Sequence, residues 1–248
     1  MTSNGKAGRP QPRIRGVLFD KDGTLLDYGR TWTPINREVA FMAARGDEAL
    51  AHRLMVRAGQ CPLTHTVDAG SPFAAGTHHD VAAAFEELLG AATPGGLADT
   101  IAQIFETAGA QHSALADGVY ETLAALSAAG VTMGIASNDT RAGIDASLGR
   151  HAGVMDAMVF VAGCDSGHGA KPGPGMALAF AAAVGLPIGE IAVVGDAVHD
   201  LEMARRAGAG LRIGIEGGTT PRDVLAAEAD LVLARLIELV DAIKSGSE

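Results

Sequence analysis

The sequence predicts an α/β fold in which a doubly wound parallel sheet is interrupted by an all-α insertion. Short apolar runs alternate with helical periodicity after residue 117, and one such run precedes residue 28. This alternation is typical of a parallel sheet covered by helices on both faces. Between residues 28 and 116 the strand-like runs disappear and the helical period dominates. We therefore expect an α/β core domain of residues 14–27 and 117–248 and a helical domain of residues 28–116.

Composition limits the possible functions. The chain has 248 residues, of which 48% are hydrophobic and 4% aromatic, so a sizeable aliphatic core can form. A formal net charge of −10 argues against nucleic-acid binding, and no apolar run is long enough to span a membrane. The polar stretch 1–13 resembles a frayed leader and lacks the apolar part of a secretory signal. With only two cysteines, Cys61 and Cys164, the simplest location is the cytoplasm.

The first strand and the insertion come first in the chain. An apolar run at 14–19 predicts a buried strand that ends at Asp20. In the insertion, Thr33 is a suitable helix cap and Pro34 a suitable first helical residue. The expected helices of the insertion run from Thr33 to Gly46, over 47–58, over 80–89 and over 94–112, with a Gly-, Pro- and Thr-rich loop at 59–77.

After residue 117 strands and helices alternate to the end of the chain. The expected strands lie at 131–136, 158–161, 190–194, 211–215 and 231–233. The expected helices lie at 119–129, 140–148 (with Thr140 as cap), 174–184 and 197–207, followed by a short helix starting at Thr220-Pro221 and a closing helix.

Polar residues follow three of these strands. Asp20 and Asp22 follow the first, and Ser137-Asn138 and the Asp196/Asp200 pair follow two later ones. Ligands of open α/β sheets bind beyond the carboxyl ends of the strands. The three polar ends therefore predict a site at one edge of the sheet.

The chemistry of the first cluster, Asp20-Lys21-Asp22-Gly23-Thr24, suits phosphoryl transfer. One ionised aspartate can attack phosphorus, and the other can protonate the leaving oxygen and later deprotonate water. Gly23 allows the backbone to turn and bring amide groups near a phosphate. An ordinary acidic turn is the alternative interpretation of this cluster.

The other clusters supply charge and hydrogen bonds. Ser137-Asn138 can bind a phosphoryl oxygen, although a helix cap is the alternative. Lys171 lies between glycines and prolines and can neutralise a phosphate and an attacking carboxylate, whereas a loop lysine is more often solvated. Asp196 and Asp200 offer hard oxygen ligands for Mg²⁺, or simply acids at a helix start.

The four clusters, in this order, resemble the motifs of the haloacid dehalogenase superfamily of phosphohydrolases. Asp20-x-Asp22-Gly23-Thr24 resembles the first motif, Ser137 the second, Lys171 the third and Gly195-Asp196-x-x-x-Asp200 the fourth. The resemblance covers nearly the whole chain. It implies a Rossmann-like core and makes the helical insertion similar to the cap of phosphoglycolate phosphatases.

The resemblance also implies roles for the matching residues. Asp20 would be the nucleophile that forms an aspartyl-phosphate, and Asp22 the general acid and base. Gly23, Thr24, Ser137, Asn138 and Lys171 would hold the phosphoryl group. Asp20, the backbone carbonyl of Asp22, and Asp196 would bind Mg²⁺, and Asp200 would support the metal's water shell or Lys171.

The departures from related enzymes narrow the reaction. Dehalogenases of the superfamily lack the aspartate at the position of Asp22. Phosphonate-cleaving relatives and phosphoglucomutase-like relatives use a lysine of the cap, and residues 28–116 contain none. We therefore expect a phosphatase of a small phosphorylated metabolite. A phosphosugar mutase, or a non-catalytic scaffold with a vestigial site, is the alternative.

The substrate's carbon part should be recognised by the cap. Arg30 and Trp32 lie close to the first motif in sequence and are the preferred candidates. Phosphoglycolate is a possible substrate on the analogy of cap position alone. The sequence leaves the oligomeric state open between monomer and dimer.

Overall fold

The computed structural model describes residues 13–244 and contains one six-stranded parallel sheet. Its strands are β1 (Gly16–Phe19), β2 (Thr132–Ala136), β3 (Phe160–Ala162), β4 (Ile191–Gly195), β5 (Leu211–Ile215) and β6 (Leu231–Leu233). They lie in the order β3-β2-β1-β4-β5-β6, which is the order of Rossmann-type sheets. The predicted α/β fold is confirmed. Residues 1–12 of the predicted leader and residues 245–248 of the predicted core lie outside the described residues.

Helices cover the sheet and form the insertion. Those of the insertion are α1 (Tyr28–Ala43), α2 (Glu48–Arg57), α3 (Pro72–Ala75), α4 (His78–Leu89) and α5 (Leu97–His112). The later ones are α6 (Val119–Ala128), α7 (Arg141–Leu148), α8 (Gly175–Val184), α9 (Val198–Ala207), α10 (Arg222–Glu228) and α11 (Leu239–Lys244). None of the helices found between residues 13 and 244 has the length and apolar character needed to cross a bilayer.

Both faces of the sheet are buried, as the apolar character of β1 requires. Successive side chains of a strand point to opposite faces. Val17 and Phe19 pack in a cluster with α6, α7 and α11, whereas Leu18 packs on the other face with α8 and α9. A central strand covered on both sides is a continuous apolar run rather than an alternating one.

The insertion has its own hydrophobic cluster. Apolar side chains of α1, α2, α4 and α5 pack together, with Leu54, Phe85 and Ile101 fully buried among them. A second small cluster joins Tyr28, Trp32 and Ile35 of α1 to α5. The division of the chain into a separate core domain and cap domain stays a prediction.

The predicted start of the first helix is wrong. Helix α1 begins at Tyr28, and Pro34 lies inside it. The Asp27 side chain caps the helix by accepting a hydrogen bond from the Arg30 amide at 2.9 Å. Burial of the Tyr28, Trp32 and Ile35 face stabilises the first turns, and this packing outweighs the hydrogen bond that Pro34 cannot donate.

The predicted loop at 59–77 contains a helical turn. Ser71 caps α3, with Pro72 at its first position, and Phe73 of this turn is buried. The turn is only four residues long, so it carries no periodicity that a sequence pattern could detect. Its consequence for the site is direct, because it forms one wall of the cleft described below.

Candidate active site

Three strand ends meet at the point where the sheet changes winding direction. The chain leaves β1 for β2 on one side, while β4 pairs with β1 on the other. Asp20 follows β1 and Asp196 follows β4, and the Asp20 amide donates to the Val194 carbonyl at 2.8 Å. Both aspartates are buried, at 7% and 4% exposure. The site thus lies at the topological switch point, where ligands of such sheets bind.

Gly23 is required by the packing of this edge. Its φ of +84° is unfavourable for other residues. A Cβ at this position would lie 2.6 Å from the carboxyl carbon of Asp196. The backbone of the first motif therefore turns directly against the carboxylate that follows β4.

Lys171 joins the third cluster to the first and the fourth. Its Nζ lies 2.5 Å from Oδ1 of Asp20 and 2.6 Å from Oδ1 of Asp200, and its side chain has no exposed surface. Oδ2 of Asp200 also accepts a hydrogen bond from the Ala197 amide at 3.1 Å. The loop lysine is therefore not solvated, and its charge is fixed beside Asp20.

Burial and crowding shift the acidity of these carboxyl groups. Burial, together with the nearby Asp200 and Asp22, raises the pKa of Asp20 to about 7, although Lys171 opposes the shift. Burial and the neighbouring Asp20 and Asp200 raise the pKa of Asp196 well above its usual range. Lys171 lowers the pKa of Asp200 despite burial. The site holds more negative charge than its lysine neutralises.

This excess charge fits a divalent cation. Carboxylate oxygens of Asp20, Asp196 and Asp200 lie within 4.8 Å of one another, and all three residues are buried. Hard oxygen donors such as these are the ligands that Mg²⁺ prefers. The set includes Asp200, for which the sequence predicts a supporting role, while the Asp22 side chain is engaged elsewhere.

The loop after β5 packs against Asp196. None of its residues was among the site residues predicted from the sequence. A Cβ on Gly218 would fall within 1.6 Å of Oδ2 of Asp196. The Thr219 amide donates a weak hydrogen bond to the same oxygen at 3.4 Å. The paired glycines after a buried strand, Gly217 and Gly218, are the signal that could have indicated this approach.

The predicted phosphate-binding residues lie at the site with different surroundings. Ser137 is buried at 2% exposure, and its Oγ accepts a hydrogen bond from the Asp139 amide at 3.1 Å. Thr24 is also buried, and its hydroxyl has no hydrogen-bond partner among the described residues. Gly23 turns the backbone just after Asp20, and its own amide donates to the Leu26 carbonyl at 2.8 Å.

Asn138 holds two segments together. Its side-chain oxygen accepts from the Lys171 amide at 2.8 Å. Its amide nitrogen donates to the Ala75 carbonyl at 3.0 Å. The Asn138 side chain is thus engaged with the protein itself, linking the lysine loop to the end of α3.

Lys21 is a site residue that the sequence analysis missed. Its side chain is completely buried, and its Nζ lies 2.9 Å from the Asp22 carboxylate and 3.1 Å from Oδ2 of Asp139. Although burial disfavours the ammonium, Asp22 and Asp139 raise the pKa of Lys21 above its ordinary value. Lys21 directly follows a buried strand and lies between two aspartates. A charged residue at such a position could have indicated a buried ion pair.

Trp32 completes the surroundings of the Asp22 carboxylate. Its indole Nε1 donates to Oδ1 of Asp22 at 2.5 Å, and Nζ of Lys21 lies 5.0 Å from the centre of its ring. Asp22 is thus held from the core by Lys21 and from the helical insertion by Trp32. A carboxylate with two charge-assisted partners has a defined orientation.

A cleft opens above these residues, with about 570 Å³ of space that includes open solvent. Asp20, Asp22, Ser137 and Asp196 form its floor. The insertion contributes its walls, which include Tyr28, Trp32, Phe105 and the segment 72–76.

Of the two predicted substrate residues, only Trp32 lines this cleft. The Arg30 guanidinium instead binds the Asp27 carboxylate at 2.8 Å and the Leu115 carbonyl at 2.9 Å on the surface. The side chain of Arg30 is drawn away by its own helix cap, so the structure does not bring it to the predicted position.

Comparison with known proteins identifies the family. A family model described as haloacid dehalogenase-like hydrolase matches residues 14–208. A phosphoglycolate phosphatase of Xylella fastidiosa (strain Temecula1) is 31% identical over 208 residues, which cover 84% of this chain and 82% of that protein.

Solved structures share the fold. A HAD family hydrolase from Deinococcus radiodurans with bound phosphate and sodium has 23% identity and a TM-score of 0.67, over 95% of this chain and 97% of that one. CbbY from Rhodobacter sphaeroides in complex with phosphate has 22% identity and a TM-score of 0.68, over 91% and 96%.

The chain belongs to the haloacid dehalogenase-like hydrolase family. The resemblance drawn from the four motifs is thereby confirmed. The predicted enzyme class, a phosphoric monoester hydrolase of this family, is confirmed as well.

Proposed function

We propose that this enzyme is a Mg²⁺-dependent phosphatase that hydrolyses a small-molecule phosphate monoester through an aspartyl-phosphate on Asp20. One observation carries the proposal. Asp20 is buried at the switch point of the sheet, 2.5 Å from the ammonium of Lys171, beside the carboxylates of Asp196 and Asp200. An anionic nucleophile can approach an anionic ester only where fixed positive charge screens both.

Asp20 acts as the nucleophile. Its carboxylate forms a bond to phosphorus as the bond between phosphorus and the ester oxygen breaks. Lys171 remains beside the attacking oxygen and the phosphoryl group and stabilises the charge on both. Water then attacks the phosphorus of the aspartyl-phosphate, which releases inorganic phosphate and restores the Asp20 carboxylate.

Asp22 moves the protons of both steps. Its carboxylate takes up a proton from solvent before the first step and gives that proton to the leaving alcohol oxygen. In the second step the restored carboxylate takes a proton from the attacking water. Lys21 and Trp32 hold this carboxyl group at the floor of the cleft. Asp22 contacts Lys21 and Trp32, whereas Asp20 contacts Lys171, so the two aspartates have different partners and different roles.

The residues that hold Mg²⁺ in this proposal are Asp20, the backbone carbonyl of Asp22, and Asp196. Asp200 supports the site through Lys171 and the cluster of carboxylates. When bound, the metal supplies Lewis-acid stabilisation of the phosphoryl oxygens and neutralises the excess negative charge. The raised pKa values of Asp20 and Asp196 support this assignment, because they express charge that Lys171 alone does not balance.

Phosphate oxygens are bound by Ser137, Lys171 and the backbone of the first motif around Gly23 and Thr24. Asn138 contributes through its main chain and by fixing the Lys171 loop, since its side chain is already hydrogen-bonded. The helical segment 28–116 acts as a cap that contacts the carbon part of the substrate. The Xylella fastidiosa relative is named a phosphoglycolate phosphatase, so phosphoglycolate is one substrate to be tested.

The mutase and scaffold alternatives have less support. The cap contains no lysine for the chemistry of a phosphosugar mutase. Asp20, Lys171 and Asp196 are all buried and close together. A non-catalytic scaffold would not require this costly arrangement of buried charges.

Phosphate release from small phosphate esters tests the proposal. The wild-type enzyme with Mg²⁺ should release phosphate, and Asp20→Asn should lose activity by about three orders of magnitude or more. Asp223→Asn is the matched control, because this aspartate is exposed on α10. Wild-type activity in Asp20→Asn, or unchanged turnover in excess chelator, would overturn the mechanism. Isomerised sugar phosphate without free phosphate would identify a mutase instead.

A further inference from the structure

The cleft collects a large share of the aromatic side chains of the protein. The whole chain has one Trp, two Tyr and seven Phe. Four of these residues line this one cleft: Tyr28, Trp32, Phe73 and Phe105. The adjoining turn adds Pro72, Ala74 and Ala75. In a chain with 4% aromatics, this concentration indicates a surface for an apolar body.

The polar atoms of these aromatic residues are already engaged. The Tyr28 hydroxyl donates to the Phe73 carbonyl at 2.9 Å. The Trp32 indole nitrogen donates to Asp22, and its ring packs edge-on against Phe105 with 5.0 Å between ring centres. Tyr28, Trp32 and Phe73 are only 6–8% exposed and Phe105 is half-buried, so what the wall offers to a ligand is ring edge and the face of Phe105 rather than hydrogen bonds.

Positive charge is missing from the walls of the cleft. Among the described residues that line it there is neither an arginine nor a lysine. Three arginines of the insertion have other surroundings: Arg30 pairs with Asp27, Arg57 pairs with Glu87, and Arg37 lines a separate surface depression beside Glu48. Lys21 and Lys171 lie beneath the floor, each between two carboxylates.

Two histidines line the cleft, and neither replaces this charge. His78 stands at the first position of α4, and Nε2 of His199 lies 3.6 Å from Oδ1 of Asp200, so that ring is engaged by a carboxylate. Burial and the adjacent His79 lower the pKa of His78, which favours its neutral imidazole, a hydrogen-bonding group without charge. The carboxylates of Asp22 and Asp139 also line the space.

We propose, on the basis of the proposed function, that the substrate is the phosphate ester of an uncharged alcohol with an apolar or aromatic body. Stacking and burial against Trp32 and Phe105 stabilise such a group. A second anionic group, such as the carboxylate of phosphoglycolate, would enter an acidic cleft without a cationic partner, and burying an unpaired charge is unfavourable.

Two matched pairs of esters separate the effects of charge and of aromatic surface. 2-Hydroxyethyl phosphate and phosphoglycolate have the same number of carbons and differ by the carboxylate. Ethyl phosphate and 2-phenylethyl phosphate differ by the ring. We expect kcat/KM to be at least about tenfold higher for 2-hydroxyethyl phosphate than for phosphoglycolate, and at least about tenfold higher for 2-phenylethyl than for ethyl phosphate.

A variant of the wall links the preference to its residues. In Phe105→Ala the ratio of kcat/KM for 2-phenylethyl phosphate to that for ethyl phosphate should fall by about fivefold. Phe41→Ala is the matched control, because Phe41 is 44% exposed on α1 and does not line the cleft. Phe105→Leu serves if the alanine variant fails to fold, and the same direction is expected.

The outcomes distinguish this inference from the phosphatase proposal. Faster turnover of phosphoglycolate than of 2-hydroxyethyl phosphate, or no gain from the phenyl ring, overturns the substrate inference while phosphatase activity stands. Equal ratios in Phe105→Ala and wild type overturn the role of the aromatic wall. Failure of all four esters to release phosphate with Mg²⁺ overturns the phosphatase proposal and this inference with it.

Discussion

Replacing Lys21 by methionine tests the buried network around Asp22. Methionine keeps most of the side-chain volume and removes the ammonium that lies 2.9 Å from Asp22 and 3.1 Å from Asp139. Breaking a buried ion pair by removing one partner costs about 3–5 kcal/mol. The Asp22 side chain keeps 20% exposure, so we expect about 3 kcal/mol, the lower end of that range.

Urea denaturation followed by circular dichroism measures this loss. A loss of about 3 kcal/mol corresponds to a fall in Tm of about 6–12 °C for a chain of this size. Lys244→Met is the matched control, because Lys244 is exposed and should change stability by less than about 0.5 kcal/mol.

A second substitution distinguishes lost charge balance from lost packing. Asp139→Asn in the Lys21→Met background removes the carboxylate that was left unpaired. The double variant should therefore be more stable than the sum of the single losses by about 1 kcal/mol or more.

The single variant Lys21→Met should also lose turnover, because Asp22 loses one of its two hydrogen-bonding partners. We expect kcat to fall by about tenfold or more with KM little changed. A Lys21→Met enzyme that loses less than about 1 kcal/mol, or additive losses in the double variant, would refute the reasoning.

Two further predictions concern the carboxylate cluster. Because the pKa of Asp20 is raised from 3.8 to about 7, the metal-free folded protein binds more protons than the unfolded chain in this range. This group's contribution therefore makes stability fall as pH rises from about 4 to about 7. Mg²⁺ affinity measured by calorimetry should rise at least about tenfold per pH unit below about pH 7, because the metal binds the deprotonated carboxylates and the pKa of Asp196 is raised as well. An affinity that does not change with pH would contradict this. Gly23→Ala should lower activity at least about tenfold, because its Cβ would meet Asp196 at 2.6 Å. Gly46→Ala, also at positive φ but with no atom nearer than 3.8 Å, should cost only about 1 kcal/mol and keep activity, and equal effects of the two variants would contradict the steric explanation.

The sheet and the floor of the site could be predicted because the strands are short apolar runs and three of them are followed directly by polar residues. Parallel strands place their carboxyl ends at one edge, so local patterns around Asp20, Lys171 and Asp196 converge without knowledge of distant contacts. The order of the motifs along the chain then sufficed to indicate the family.

The features that escaped prediction depend on contacts between distant segments. From the sequence alone Lys21 would be expected to be solvated. In the structure it is buried against Asp139 and Trp32, which are distant in sequence. The approach of Gly218 to Asp196 is set by the packing of two neighbouring strands. Arg30 lies near the first motif in sequence, yet its cap Asp27 turns it to the surface.

The insertion was predictable in its helical character and less so in its boundaries. Pro34 is a strong local signal for a helix start, but burial of the Tyr28 and Trp32 face extends the helix past it. A turn of four residues at α3 has too few positions for a periodic signal. These two misjudged segments form much of the wall of the cleft, so the substrate surface was the part least accessible from sequence.

Trapping of the covalent intermediate tests the central claim most directly. The enzyme is mixed with Mg²⁺ and a phosphate ester that carries a radiolabelled phosphoryl group, quenched in acid within one turnover, and digested for mass spectrometry. The mechanism predicts label and a phosphate mass increment on the peptide that contains Asp20, and no label in Asp20→Asn. Turnover without label, or label on a residue other than Asp20, would contradict it.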